Sequence, residues 1–206
     1  MEASADVSSE VLEGFNVSAI SSVYLMPVLA EEIGTRSLGV PSVQATESLM
    51  TALQVYTQLE VSGGTVKKLE KDWSGILSQG EDTQLSQLGT SKERLFKIAQ
   101  QISKDEGGIP VLFCLLQKSA ERTGGEMGAE VPAQAKYRMW LYDGSVDKIV
   151  WTSAYRTKEE AVSENLFSLG TKQAVSFSSL RDLITAAFRG SAKSLDKLLT
   201  IKKMAR

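Results

Sequence analysis

Residues 109–170 read IPVLFCLLQKSAERTGGEMGAEVPAQAKYRMWLYDGSVDKIVWTSAYRTKEEAVSENLFSLG, and this stretch decides the fold. It opens with an apolar run too continuous for a half-exposed strand, which reads as a central strand covered on both faces. The glycine-broken loop TGGEMGAEVPA follows. KYRMWLYDGSVDKIVWTSAYR then alternates apolar and polar residues on both sides of Asp143-Gly144, which predicts a hairpin with a five-residue loop. Alternation puts Tyr137, Met139 and Leu141 on one face, and Ile149, Trp151 and Ser153 on one face of the partner strand. Residues 158–169 read as a helix that Gly170 ends.

Upstream, residues 19–29 (AISSVYLMPVL) predict the first strand, with Val23, Leu25 and Val28 at its apolar centre and Pro27 fitting an end or an edge. A loop, EEIGTRSLGVP, leads to a helix that Ser42 or Thr46 can cap, with Leu49, Ala52, Leu53 and Tyr56 as its apolar stripe. TQLEVSGG reads as a short strand, and the strand–helix–strand order predicts a parallel pair. Residues 66–77 read as a helix. Ser91 caps another, with Leu95, Ile98 and Ile102 inward and Gly107-Gly108 as its stop. The final helix has Leu180, Leu183, Ile184, Ala187 and Phe188 inward, with Gly190 as an expected interruption before Leu195, Leu198 and Leu199.

The fold class is therefore α/β with α+β character. The sheet is mixed, of about five strands, parallel in its first part and an antiparallel meander at its end, with helices packed on it. Residues 1–17 are expected to form a flexible acidic leader, and 18–206 a single α/β domain that includes a basic C-terminal helix.

The chain has 206 residues, 42% hydrophobic and 23% charged, enough to bury a core without disulfides or metals. It has no histidine, which excludes a Ser-His-Asp triad, a Cys-His dyad and any His-containing zinc site. Its one cysteine, Cys114, sits inside VLFCLL and reads as a small apolar core residue. No apolar run approaches the ~20 residues that span a bilayer. Net charge is −2, unevenly spread. Residues 1–32 carry six acids and no Lys or Arg, while 178–206 carry seven basic residues against Asp182 and Asp196. That basic stretch reads either as a docking surface for an anionic partner or as a solvated helix face.

Candidate chemistry is sparse. Neither ERTGGEMGAE nor SGGTVKK completes a phosphate-loop pattern. The adjacent acids Glu31-Glu32, Asp105-Glu106 and Glu159-Glu160 diverge on a strand or helix and make no acid–base pair. Asp143 and Asp147 are too few oxygen ligands for calcium. Trp151 alternates inward. Trp140 falls on the opposite face from Tyr137 and Met139, toward a covering helix or a partner. Without a basic stripe across the sheet, and with a slightly negative net charge, nucleic acid is not an expected partner.

Glu121, Arg122, Gly124, Gly125 and Gly128, then Leu141-Tyr142-Asp143, Val150-Trp151 and the run from Ser163 to Gly170, together resemble a group of bacterial envelope lipoproteins. Related domains in that group are those of CsgG, the amino-terminal part of TolB, and LpoB. The resemblance implies export, amino-terminal lipid anchoring at the outer membrane, and non-enzymatic adaptor or assembly work through protein contacts in the periplasm. It implies other envelope proteins or further copies of the chain as partners, with the membrane reached only through the anchor. No cysteine lies near the start of this chain, so the anchoring segment is expected to have been removed or never to have existed. The resemblance supplies no catalytic residue, cofactor or metal ligand. On this reading the contact residues are Arg122, Gly124, Gly125, Glu126 and Met127 of the loop, Trp140, and Lys193 and Lys197 of the final helix. The competing expectation is a small-molecule or nucleotide-binding α/β domain using the loops at Gly34–Gly39 and Gly63-Gly64. A third is a cytosolic enzyme based on Lys and carboxylates.

Overall fold

The sheet is laid around the apolar run that begins at Val111. The computed structural model describes residues 7–11, 20–31, 38–63, 91–120, 134–156 and 180–201. In chain order the elements are β1 (Val7–Val11), β2 (Ser22–Leu25), β3 (Leu29–Glu31), β4 (Leu38–Pro41), α1 (Val43–Tyr56), β5 (Glu60–Gly63), α2 (Ser91–Asp105), β6 (Val111–Ala120), β7 (Gln134–Asp143), β8 (Lys148–Arg156) and α3 (Leu180–Ile201). The strands form one eight-stranded mixed sheet in the order β1-β8-β7-β6-β2-β5, with β3 beside β6 and β4 beside β3. Strands β2, β3 and β5 belong to the parallel part, and β6-β7-β8 is the antiparallel meander.

Two helical layers cover the sheet. On one face α1 and α3 pack against Leu112, Cys114, Leu116, Tyr137, Met139 and Leu141. On the other, α2 packs against Val111, Phe113, Leu115, Trp140 and Tyr142. Side-chain period two along β6 and β7 divides these sets between the faces. Helix α3 buries Leu183, Ile184, Ala187, Phe188, Ala192, Leu195 and Leu199, a 3–4 repeat that keeps one stripe on the sheet. Phe188 meets Tyr137 at 4.9 Å between ring centroids.

Where backbone groups leave the ladder, a side chain replaces the missing partner. Ser42 caps α1, its Oγ accepting from Ala45 N at 3.3 Å. Thr46 is fully buried; it accepts from Val28 N at 2.9 Å and donates to Ser42 O at 2.7 Å. That acceptor satisfies the donor beside Pro27, where β2 gives way to β3.

The structure corrects the sequence reading in five places. About five strands become eight, because the expected first strand is split at Met26–Val28 into β2 and β3, and β4 pairs with β3. Residues 7–11, inside the expected flexible leader, form β1, antiparallel to β8 with Val7 opposite Tyr155. Ile149 does not share a face with Trp151. The register shifts between Leu141 and Tyr142, so Val150 joins Trp151 on the α1/α3 side and Ile149 packs toward α2. Gly190 does not interrupt α3. It lies where β1 crosses the helix, and a Cβ there would stand 2.9 Å from Val7 Cγ2. The hairpin loop is residues 144–147, shorter by one than expected, since Asp143 and Lys148 are still in register. The expected helices at 66–77 and 158–169 lie outside the described residues.

Candidate functional site

A concave surface lies on each side of the sheet. The first runs between α1 and α3, with a volume of about 640 Å³ and Glu47, Thr51, Val55, Arg181, Asp182 and Arg189 among its walls. Its charges are mixed in sign. Tyr56 closes the α1 stripe here, with Lys193 Nζ 5.0 Å and the Arg189 guanidinium 5.6 Å from its ring centroid. Such contacts contribute about 0.5–1 kcal/mol each at an exposed site. Of the two lysines expected to form a contact surface, both are exposed, but Lys193 leans on Tyr56 and only Lys197, one turn on, is left to solvent by this packing.

The second surface, about 520 Å³, lies on the α2 side over the outer strands, bordered by Ser8, Glu10, Lys92, Arg138, Trp140 and Thr152. Trp140 is on the face that alternation assigns it. It is 4% exposed and stacked on Phe113 (5.3 Å, 23°), so only its edge reaches this hollow. Arg122, Gly124, Gly125, Glu126 and Met127 lie outside the described residues, on the connection between Ala120 and Gln134.

Two polar clusters stand out, one buried and one at the surface. In the α3 interface, Ser191 Oγ bonds Tyr137 OH at 2.8 Å and Ser153 Oγ at 2.7 Å, and all three residues are buried. Burial pushes the Tyr137 hydroxyl far above its ordinary range and does the same to the Cys114 thiol. Both groups stay neutral, and Cys114 is an inert core residue. At the hairpin, Asp147 adopts φ 52°, a conformation that Asp tolerates, and its Oδ1 accepts from Tyr142 OH at 2.8 Å and Gln100 Nε2 at 2.7 Å. Those two bonds hold the Asp147 carboxyl below its usual value. Burial, and then the bond to Asp147, push Tyr142 up to about 12. Among the described residues no three His, Cys, Asp or Glu side chains gather as a metal site. No helix of the described residues is long and apolar enough to cross a membrane.

Of the two glycine loops expected to take a small molecule or nucleotide, residues 34–37 and Gly64 lie outside the described residues. At Gly63 (φ 80°) a Cβ would lie 2.8 Å from Leu25 O and 2.9 Å from the Tyr24 ring, so this glycine serves strand packing. Sequence reasoning missed Tyr56 as a seat for two cations. The i, i+4 spacing of Arg189 and Lys193 was visible, but not that α1 lies beside it.

No family model and no curated protein matches the chain. Among solved structures it is similar to PelC from Paraburkholderia phytofirmans, described as a dodecamer, with a TM-score of 0.51 at 10% identity, covering 93% of this chain and 97% of that one. The chain thus has the PelC fold over nearly its whole length. A further neighbour is lipoprotein GNA1162 from Neisseria meningitidis (TM-score 0.41, 10% identity, 70% of this chain and 89% of that one). The C-terminal domain of LpoB from Salmonella enterica also matches (TM-score 0.40, 18% identity, 71% of this chain and 87% of that one).

Proposed function

We propose that this chain is the non-enzymatic periplasmic domain of an outer-membrane lipoprotein, an adaptor or assembly factor that works through protein contacts. The observation that carries the reading is the whole-length fold similarity to PelC, a protein solved as a dodecamer. The residue pattern from Ile109 to Gly170 supports the same assignment. So does the surface, where two broad hollows present exposed charge of both signs across strands and helices.

The test uses the chain expressed from its native gene, upstream coding sequence included. Cells are fractionated, and a photo-crosslinking residue is placed at Lys197 or Thr51. The expected result is an envelope-membrane protein with a discrete adduct to another envelope protein or to a second copy. A chain that stays in the cytosol and turns over a small molecule would overturn the reading.

A further inference from the structure

Two neighbouring strands carry a basic residue at one register level. Lys136 of β7 stands opposite Arg156 of β8. Residues directly opposed on adjacent strands share a face. Lys136 alternates with the inward Tyr137, so this row is on the α2 side. Arg138 follows two positions along β7 and borders the 520 Å³ hollow, which Lys92 walls from α2. Among the described residues bordering that hollow, Glu10 is the single acid.

Like charges directly opposed weaken a ladder. The same hairpin avoids this at its other end, where Asp143 stands opposite Lys148. A rule kept at one end and broken at the other marks the second as serving something besides stability.

We propose that the Lys136–Arg156 row, with Arg138 and Lys92 at the hollow beside it, docks an extended acidic peptide segment of a partner protein, laid across β7 and β8. This deepens the proposed function and rests on its reading that the chain acts through protein contacts. Lys136 and Arg156 stand on adjacent strands, Arg138 two positions along β7 and Lys92 on α2, a spread that calls for several anionic groups on one chain rather than one small anion. The surface is concave, which suits a polypeptide better than a flat anionic bilayer. The Trp140 ring is stacked under α2, which leaves no open aromatic platform here for nucleic-acid bases.

The probe is a fluorescein-labelled twelve-residue peptide of alternating Glu and Ser, titrated with the whole chain and followed by anisotropy. Saturable binding is expected at low salt. It should weaken about tenfold or more when ionic strength rises to the physiological range, and similarly in the K136E/R156E double variant. Lys136→Gln should give a smaller loss, and serves if the double variant fails to fold by circular dichroism. Gln54→Glu, exposed on α1 across the sheet, should leave affinity unchanged. The inference is overturned if the folded chain does not bind the peptide, or if Gln54→Glu weakens binding as much as K136E/R156E. It is overturned equally by tighter binding to phosphatidylglycerol vesicles that the double variant abolishes, which would assign the row to a membrane. A crosslinked envelope partner found on the α1/α3 side, with no peptide binding, would remove this inference and leave the adaptor reading standing.

Discussion

At the turn of the β7–β8 hairpin Asp143 stands opposite Lys148; at its mouth Lys136 stands opposite Arg156. Around the turn, fixed bonds accumulate. Tyr142 and Gln100 both reach Asp147, Ser145 N donates to Asp143 Oδ1 at 2.8 Å, and Ser103 Oγ donates to Ile109 O at 2.7 Å. Phe96 adds an edge contact to Tyr142 at 5.4 Å. The mouth is where the chain comes and goes. Strands β2, β3, β5, β6 and β8 run the same way, so the connections 32–37, 64–90, 121–133 and 157–179 all start from that end. One end of the sheet is held by side-chain bonds, and the other presents the connections.

The largest expected effect strikes the holding end. Tyr142→Ala removes a buried ring together with its bonds, and should cost about 3–5 kcal/mol in urea unfolding, as for other aromatic truncations in a core. Ser103→Ala should cost about 1–3 kcal/mol by the same measurement, since the Ile109 carbonyl loses its donor in a buried place. At the mouth the sign reverses. Lys136→Glu puts an acid opposite Arg156 and should raise stability by about 0.2–1 kcal/mol, seen as a higher thermal midpoint. A fall in that midpoint would erase the contrast between the two ends.

The smallest effect is a pH dependence at the turn. The folded-state pKa of Asp147 is lowered, so its contribution is present above the ordinary carboxylate value of about 3.9 and is lost as pH falls through the depressed one. Urea midpoints of the parent chain and Asp147→Asn, measured from neutral to acid pH, should converge in acid. Parallel profiles would show that the carboxylate does not hold the turn.

The holding end was largely legible in the sequence, and the presenting end was not. Asp143-Gly144 and the alternation around it are local signals, so the hairpin and its buried Tyr137 face could be read directly. Strand β1 could not, because Val-Ser-Ser-Glu-Val is too short and polar to announce a strand until Ser9 finds Ser194 and Val7 finds Gly190. The switch of Ile149 to the α2 side depends on one extra residue in β8, which alternation cannot foresee. The basic row is hidden for the same reason. Lys136 and Arg156 stand opposite each other only once that extra residue in β8 is counted. Trp140 shows the converse limit. Its face was readable, but burial beneath α2 depends on where another element lands.

The seating of β1 also has a consequence for how the chain folds. Its partner strand lies far along the chain, with Ser8 bonded to Ala154 across 146 residues. A ladder with so long a closing loop is slow to form compared with the neighbouring hairpin. The first of the described strands is thus among the last into the sheet, and until β8 and α3 are in place it has no bed to lie in. Pulse-labelled hydrogen exchange should therefore find the amides of Ser8 and Glu10 protected after those of β7.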